Sequence, residues 1–315
     1  MKRKLLIFLF IVIIPFFSGC DGIPEEVDIY ASIYPIEFLV KEIVGNKYKV
    51  KAVYPRGKDV HDYDVSPSEI ISLSKSKIIF YIGLGLEPVI EKSKDTVLSD
   101  VLTISLADNL TLIELNSDHY HEGYDPSNDG QVFYDPHVWL DPINMQIIAE
   151  TILENIIEYL NVEPADVTLF KENCNNLKSR LKDLDEDFKD VLSDETIINK
   201  TIMVDHDAYA YWQLRYGINR IKLRNHNDSP DISPVEMKEK IEQAQALGIK
   251  YICTTKNEME SSIIEAYLLG LNLTVKDKRQ LHHLGTITAK EEKKEDYFSL
   301  MRYNLKILNE VMPRK

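Results

Sequence analysis

The sequence predicts an α/β protein built as two (β/α) lobes, each with a roughly four-stranded parallel sheet, joined by one long rigid helix. Three observations predict it. Short β-rich runs alternate with helical patterns, as parallel strands with crossover helices require. These runs fall four to each half of the chain. Between the halves lies a single apolar stripe at helical spacing.

In the first half, strands are expected at 27–34 (VDIYASIY), 48–54 (YKVKAVY), 77–83 (KIIFYIG) and 101–106 (VLTISL). In the second they are expected at 201–205 (TIMVD), 219–223 (NRIKL), 249–254 (IKYICT) and 271–275 (LNLTV). The stretches between read as helices. SPSEIISLSKS and SPVEMKEKIEQAQALG each open on Ser-Pro, an N-cap followed by a first-turn proline. The connecting stripe comprises Phe170, Cys174, Leu177, Leu181, Leu184, Phe188 and Val191, spaced alternately four and three residues apart. From Ala165 to Leu192 it would run about 42 Å at ~1.5 Å per residue. The expected organisation is therefore a first lobe over 27–162, a linker helix over 163–193 and a second lobe over 194–315.

The amino terminus is outside this fold. Lys2, Arg3 and Lys4 precede an apolar run from Leu5 to Phe17, and FFSGC follows. Length and flanks describe a signal peptide over 1–19, too short and asymmetric for a comfortable membrane span. Its small-small-Cys ending resembles the lipobox of bacterial lipoproteins, which implies acylation of Cys20 and an extracytoplasmic protein anchored to the cell membrane. Phe17 stands where that pattern usually has leucine, and an uncleaved anchor is the alternative. Loss of 1–19 removes three positive charges and no negative ones, taking the net charge from −14 to −17. Such a surface repels nucleic acid and attracts cations. Cys174 and Cys253 make neither a disulfide framework nor a thiolate metal site. They fall on the linker helix and on a second-lobe strand, so a pairing between them is not expected.

The histidines carry the chemistry. His61 stands in GKDVHDYDVSPSEI, His137 in FYDPHVWLDP and His206 in MVDHDAYAYW. All three fall at strand ends or helix starts, where open α/β sheets bind ligands. Asp-Pro pairs on both sides of His137 stiffen its connection. Carboxylates flank each ring: Asp59 and Asp62, Asp135, and Asp205 and Asp207. A carboxylate on the second ring nitrogen is the usual support of a metal-bound imidazole. Each histidine, taken singly, also reads as a buried side chain with one hydrogen bond.

VHDYDVSPSEI, YIGLGLE, DPHVWLDP, DHDAYAYWQLRYGI and DYFSLMRYNLKIL together resemble the zinc-type solute-binding lipoproteins of bacterial metal ABC transporters, from about Ile29 to Leu308. The resemblance implies Zn2+ held in the cleft by His61, His137 and His206. It also implies an ABC permease and, indirectly, its ATPase as partners, a monomeric chain, and no enzymatic activity. Relatives that carry manganese place a glutamate at the position of His206, and three imidazoles favour zinc over that harder ion. At the family's carboxylate position this chain has Gly285. His282, His283 or water is left to complete the shell, and His283 is favoured because in an extended run it shares a side with Gly285. The short segment 117–129, with His119, His121 and Glu122, corresponds to a longer metal-sensing loop of such relatives or is a solvated polar loop. His226 is expected at the surface or cleft rim. The rival functions are a manganese-preferring homologue, a surface adhesin and a zinc hydrolase; for the last, no H-E-x-x-H segment occurs.

Overall fold

The computed structural model describes residues 26–115, 132–224 and 232–315. The signal peptide, Cys20, segment 117–129 and His226 lie outside the described residues.

The first lobe runs β1 (Ile29–Ala31), α1 (Tyr34–Val44), β2 (Val50–Ala52), α2 (Pro67–Leu73), β3 (Ile78–Tyr81), α3 (Pro88–Ser93) and β4 (Leu102–Ser105). Its strands are all parallel in the order β2-β1-β3-β4, with Ile29 opposite both Val50 and Ile78. The central strands read IYA and IIFY and are buried at every residue, as strands covered on both faces must be. A two-stranded antiparallel sheet, β5 (Glu114–Leu115) with β6 (Phe133–Tyr134), follows and leads into α4 (Pro142–Tyr159). After α5 (Pro164–Leu192), the second lobe runs β7 (Thr201–Val204), α6 (Ala210–Tyr216), β8 (Asn219–Lys222), α7 (Pro234–Ala246), β9 (Ile252–Thr255), α8 (Ile263–Gly270), β10 (Lys278–Leu281) and α9 (Tyr297–Val311).

The second sheet, β10-β9-β7-β8, is also parallel and repeats the first. In each lobe the second strand lies on one side of the first, and the chain then crosses to the other side for the third and fourth. That reversal opens a crevice at the carboxyl ends of the strands.

The Ser-Pro starts behave as their chemistry requires. Ser66 caps α2 and Ser233 caps α7, each in a reciprocal capping box with a glutamate three residues on, Glu69 and Glu236. Two expectations fail. Tyr34 belongs to α1 and not to the first strand. The stretch 271–275 is not a strand: Asn272 takes φ +54° after α8, and Thr274 caps a 3-10 turn over Val275–Asp277. The fourth strand is KRQL, three residues later. It is the sheet's edge, where exposed polar side chains are tolerated and leave little hydrophobic signal.

Helix α5 has 29 residues, about 43 Å at ~1.5 Å per residue. Phe170, Cys174, Leu177, Leu181, Leu184, Phe188 and Leu192 are buried along it, while Val191 is half-buried. Phe170 meets Tyr48 of the first lobe, and Phe188 stacks on Tyr216 of the second at 5.1 Å. One continuous hydrophobic core consequently passes through both lobes, with a smaller cluster behind β8 and β9. Cys174 and Cys253 are buried free thiols, and burial pushes them up to about 11 and about 12. Among the described residues, no helix is long and apolar enough to cross a membrane.

Candidate metal centre

The turn FYDPHVWLDP is clamped between the lobes. Asp141 caps α4 by accepting the Ile143 amide at 2.8 Å, with Pro142 in the first turn, and also takes Arg215 of α6 through both carboxylate oxygens. Backbone carbonyls of the same turn are held from the second lobe. The Tyr211 hydroxyl donates to Asp135 (2.9 Å), the Trp212 indole to Leu140 (2.9 Å) and the Tyr297 hydroxyl to Trp139 (2.8 Å). In return the Trp139 indole donates to the His283 carbonyl at 2.7 Å. Stiff prolines, the Arg215–Asp141 pair and four further cross-lobe hydrogen bonds thus hold His137 still.

His61, His137 and His206 each bring a ligand nitrogen to one point, all within 4.8 Å of one another. Their ring centroids are 5.8, 6.0 and 5.5 Å apart. An ion bound at about 2.0–2.1 Å would set tetrahedrally placed ring centroids about 5.2 Å apart, so the observed rings stand about 0.3–0.8 Å wide of coordination. His61 comes from the connection between β2 and α2, His137 from the turn before α4, and His206 from just beyond β7. Two lobes therefore contribute.

The supporting carboxylates decide which nitrogen is available. Asp135 accepts from His137 at both the backbone amide (2.9 Å) and ring Nδ1 (2.8 Å), so Nδ1 carries the proton and Nε2 is left for a ligand. For His206 the partner is Glu258, whose Oε2 lies 3.2 Å from Nδ1. The sequence neighbours of His206 are engaged elsewhere: Asp205 with Arg224 at 3.0 Å and Asp207 with Arg220 at 2.5 Å. His206 Nε2 is buried with no hydrogen-bond partner among the described residues. Burial works against a charge on either partner. Their mutual attraction nevertheless wins, raising His206 and lowering Glu258 to about 2. Asp59 Oδ1 accepts the His61 amide at 2.9 Å.

Glu258 was not singled out from the sequence. Its only mark is its place, an acid in the connection after the third strand of the second lobe. That is the same carboxyl edge that carries the histidines.

His282 and His283 separate. His282 faces Glu291, with Nε2 at 3.9 Å, and its backbone is fixed on both sides by Asn304. His283 stacks on His206 with centroids 5.4 Å apart but is not a member of the three-histidine group. Its Nε2 instead lies 3.2 Å from Glu258 Oε1 and 3.4 Å from Asp59 Oδ2. The chain is not extended here, because Leu284 turns it with φ +62°. The glycine matters all the same. A Cβ on Gly285 would sit 3.0 Å from two atoms of the His283 ring, so the ring fills the space beside the missing side chain. Burial drives His283 down to about 4, keeping it neutral despite Asp59 and Glu258.

A cavity of about 490 Å³ opens onto His61, His206, Asp59, Glu258 and His283. Fold and site together describe a two-lobed α/β protein whose crevice gathers side chains that could hold a cation. The sequence pattern described as zinc-uptake complex component A, periplasmic, matches residues 29–311, and the chain belongs to that family. It is 27% identical to the zinc-binding protein AdcA of Streptococcus pyogenes serotype M3 over 340 aligned positions, covering 100% of this chain and 64% of AdcA. The chain thus spans less than two thirds of that relative. Identity is 22% to the manganese ABC transporter substrate-binding lipoprotein PsaA of Streptococcus anginosus, over 96% of each. The crystal structure of ZnuA superposes with a TM-score of 0.75 at 21% identity, covering 91% of this chain and all of ZnuA.

Proposed function

We propose that this chain is the extracytoplasmic receptor of an ABC metal importer, taking up Zn2+ between its lobes and passing it to a membrane permease served by an ATPase. The observation that carries the reading is the convergence of His61, His137 and His206, with Nδ1 of two rings already committed to carboxylates. Three neutral imidazoles are a borderline-soft donor set that suits zinc better than manganese. The fourth position is open to water. His283, expected there from the sequence, is turned towards Asp59 and Glu258.

Geometry also suggests how the ion leaves. A continuous core through α5 and the bonds around residues 135–141 oppose wide hinge opening. Release then falls to the half-buried connections that carry His61 and Glu258, with small lobe tilts. A lipid on Cys20 would keep this monomeric chain beside its permease. No hydrolytic role is assigned.

Deletion of the protein tests the reading. Growth under chelation should fail and be rescued by added zinc and not by manganese. Re-expression of wild type should restore growth, and His206→Ala should not. Rescue by manganese alone would favour the manganese-carrying relatives.

A further inference from the structure

Beside the three-histidine group lies a second convergence that the uptake reading does not use. Asp59, Glu258 and His283 bring one ligand atom each within 4.8 Å of one another. Asp59 follows β2 in the first lobe; Glu258 follows β9 and His283 follows β10 in the second. We propose that these three side chains form a second divalent-cation site, adjoining the first and able to hold zinc at the same time.

Two independent observations carry this. The first is metric. Bonds of about 2.0–2.2 Å at tetrahedral angles separate ligand atoms by about 3.3–3.5 Å. His283 Nε2 stands 3.2 Å from Glu258 Oε1 and 3.4 Å from Asp59 Oδ2. The second is an unmet need. Those same three atoms are buried, and none makes a hydrogen bond among the described residues. The His283 side chain is only 3% exposed and its Nε2 is aimed at the two oxygens. Native interiors seldom leave such atoms unsatisfied unless an ion or water completes them.

The chemistry differs from that of the first group. Two carboxylates and one imidazole make a harder, anionic set, against three neutral rings next door. All three residues line the cavity, so an entering cation meets them along with His61 and His206. Binding through Nε2 requires the ring proton on Nδ1, where the Gly285 amide now donates at 3.3 Å. The cation therefore displaces one long, weak hydrogen bond. Glu258 joins the sites, since its other oxygen supports His206. A cation on the second site draws on the same carboxylate that steadies the first. The second ion is accordingly the weaker, as suits a staging position on the way in or out.

The inference takes the three-histidine group as the first site. Its test is anomalous diffraction at the zinc edge from crystals of the mature chain given two molar equivalents of zinc. Two peaks are expected, one within each group. His283→Ala and Asp59→Asn, checked for folding by circular dichroism, should each lose the second peak and keep the first. Competition titration should show the second zinc at least tenfold weaker in Asp59→Asn than in wild type. A single wild-type peak among the three histidines overturns the second site and leaves the uptake reading standing. A single peak among Asp59, Glu258 and His283 overturns the three-histidine site, and with it the uptake reading and the binding of two ions at once. Two peaks that persist in both variants overturn the ligand assignment.

Discussion

Replacing Asp135 by asparagine isolates the contribution of ligand orientation. Asp135 is 2% exposed, and its Oδ1 accepts from both the amide and Nδ1 of His137. Asparagine keeps an oxygen for the amide but loses the charge that holds the Nδ1 proton, and its NH2 group can present the wrong polarity to the ring. Removing such a partner typically weakens metal binding about 10–100-fold, or roughly 1.4–2.7 kcal/mol. Competition against a fluorescent zinc chelator at pH 7 reads this directly. Glu258→Gln should fall in the same range, because Glu258 supports His206. Asp205→Asn should change affinity less than threefold, since Asp205 faces Arg224 although it precedes His206 in sequence. If Asp135→Asn binds zinc within threefold of wild type while keeping its thermal midpoint, preorganisation of His137 is not a source of affinity.

Three further predictions concern the frame. Phe188 is wholly buried between α5 and the second lobe, so Phe188→Ala should cost about 3–5 kcal/mol in chemical denaturation. A loss below 1 kcal/mol would mean that the lobes do not depend on that contact. Gly285→Ala sets a methyl 3.0 Å from the His283 ring and 3.4 Å from Trp139, and overpacking of this kind costs about 1–3 kcal/mol. Its thermal midpoint should drop by several degrees, and an unchanged midpoint would show that His283 is free to move aside. Glu87 is fully buried, accepts the Ile82 and Gly83 amides, and is pushed by burial to about 7. Below about pH 4.5 the carboxyl is protonated in folded and unfolded chains alike. Between there and pH 7 the folded chain keeps a proton that the unfolded chain has released, so stability falls as pH rises, by up to about 3 kcal/mol. Glu87→Gln should flatten the change in denaturation midpoint between pH 5 and pH 8; an unaltered slope would assign it to other groups.

Much of this was legible in the sequence, and the limits have physical causes. The α5 stripe was readable because a helix buried on one face must repeat at four and three residues, and the observed helix begins one residue before the expected Ala165. His61, His137 and His206 could be singled out because their neighbours marked strand ends and caps. Tertiary partners left no such mark. Glu258 lies 52 residues from the ring that it supports, and only the pairing of β7 with β9 brings the two connections together. Alternation does not apply around His283 for a local reason, a left-handed residue at Leu284 where it assumes an extended chain. The strand at KRQL was missed because an edge strand needs apolar side chains on few of its positions. The two-residue strands of the β5–β6 pair are shorter than any pattern can declare.

The most direct measurement is X-ray absorption at the zinc edge on purified protein loaded with one equivalent of zinc. The account predicts a shell of nitrogen and oxygen at about 2.0–2.1 Å with the outer-shell scattering of three imidazoles. Sulfur in the shell, or scattering from a single imidazole, would contradict it.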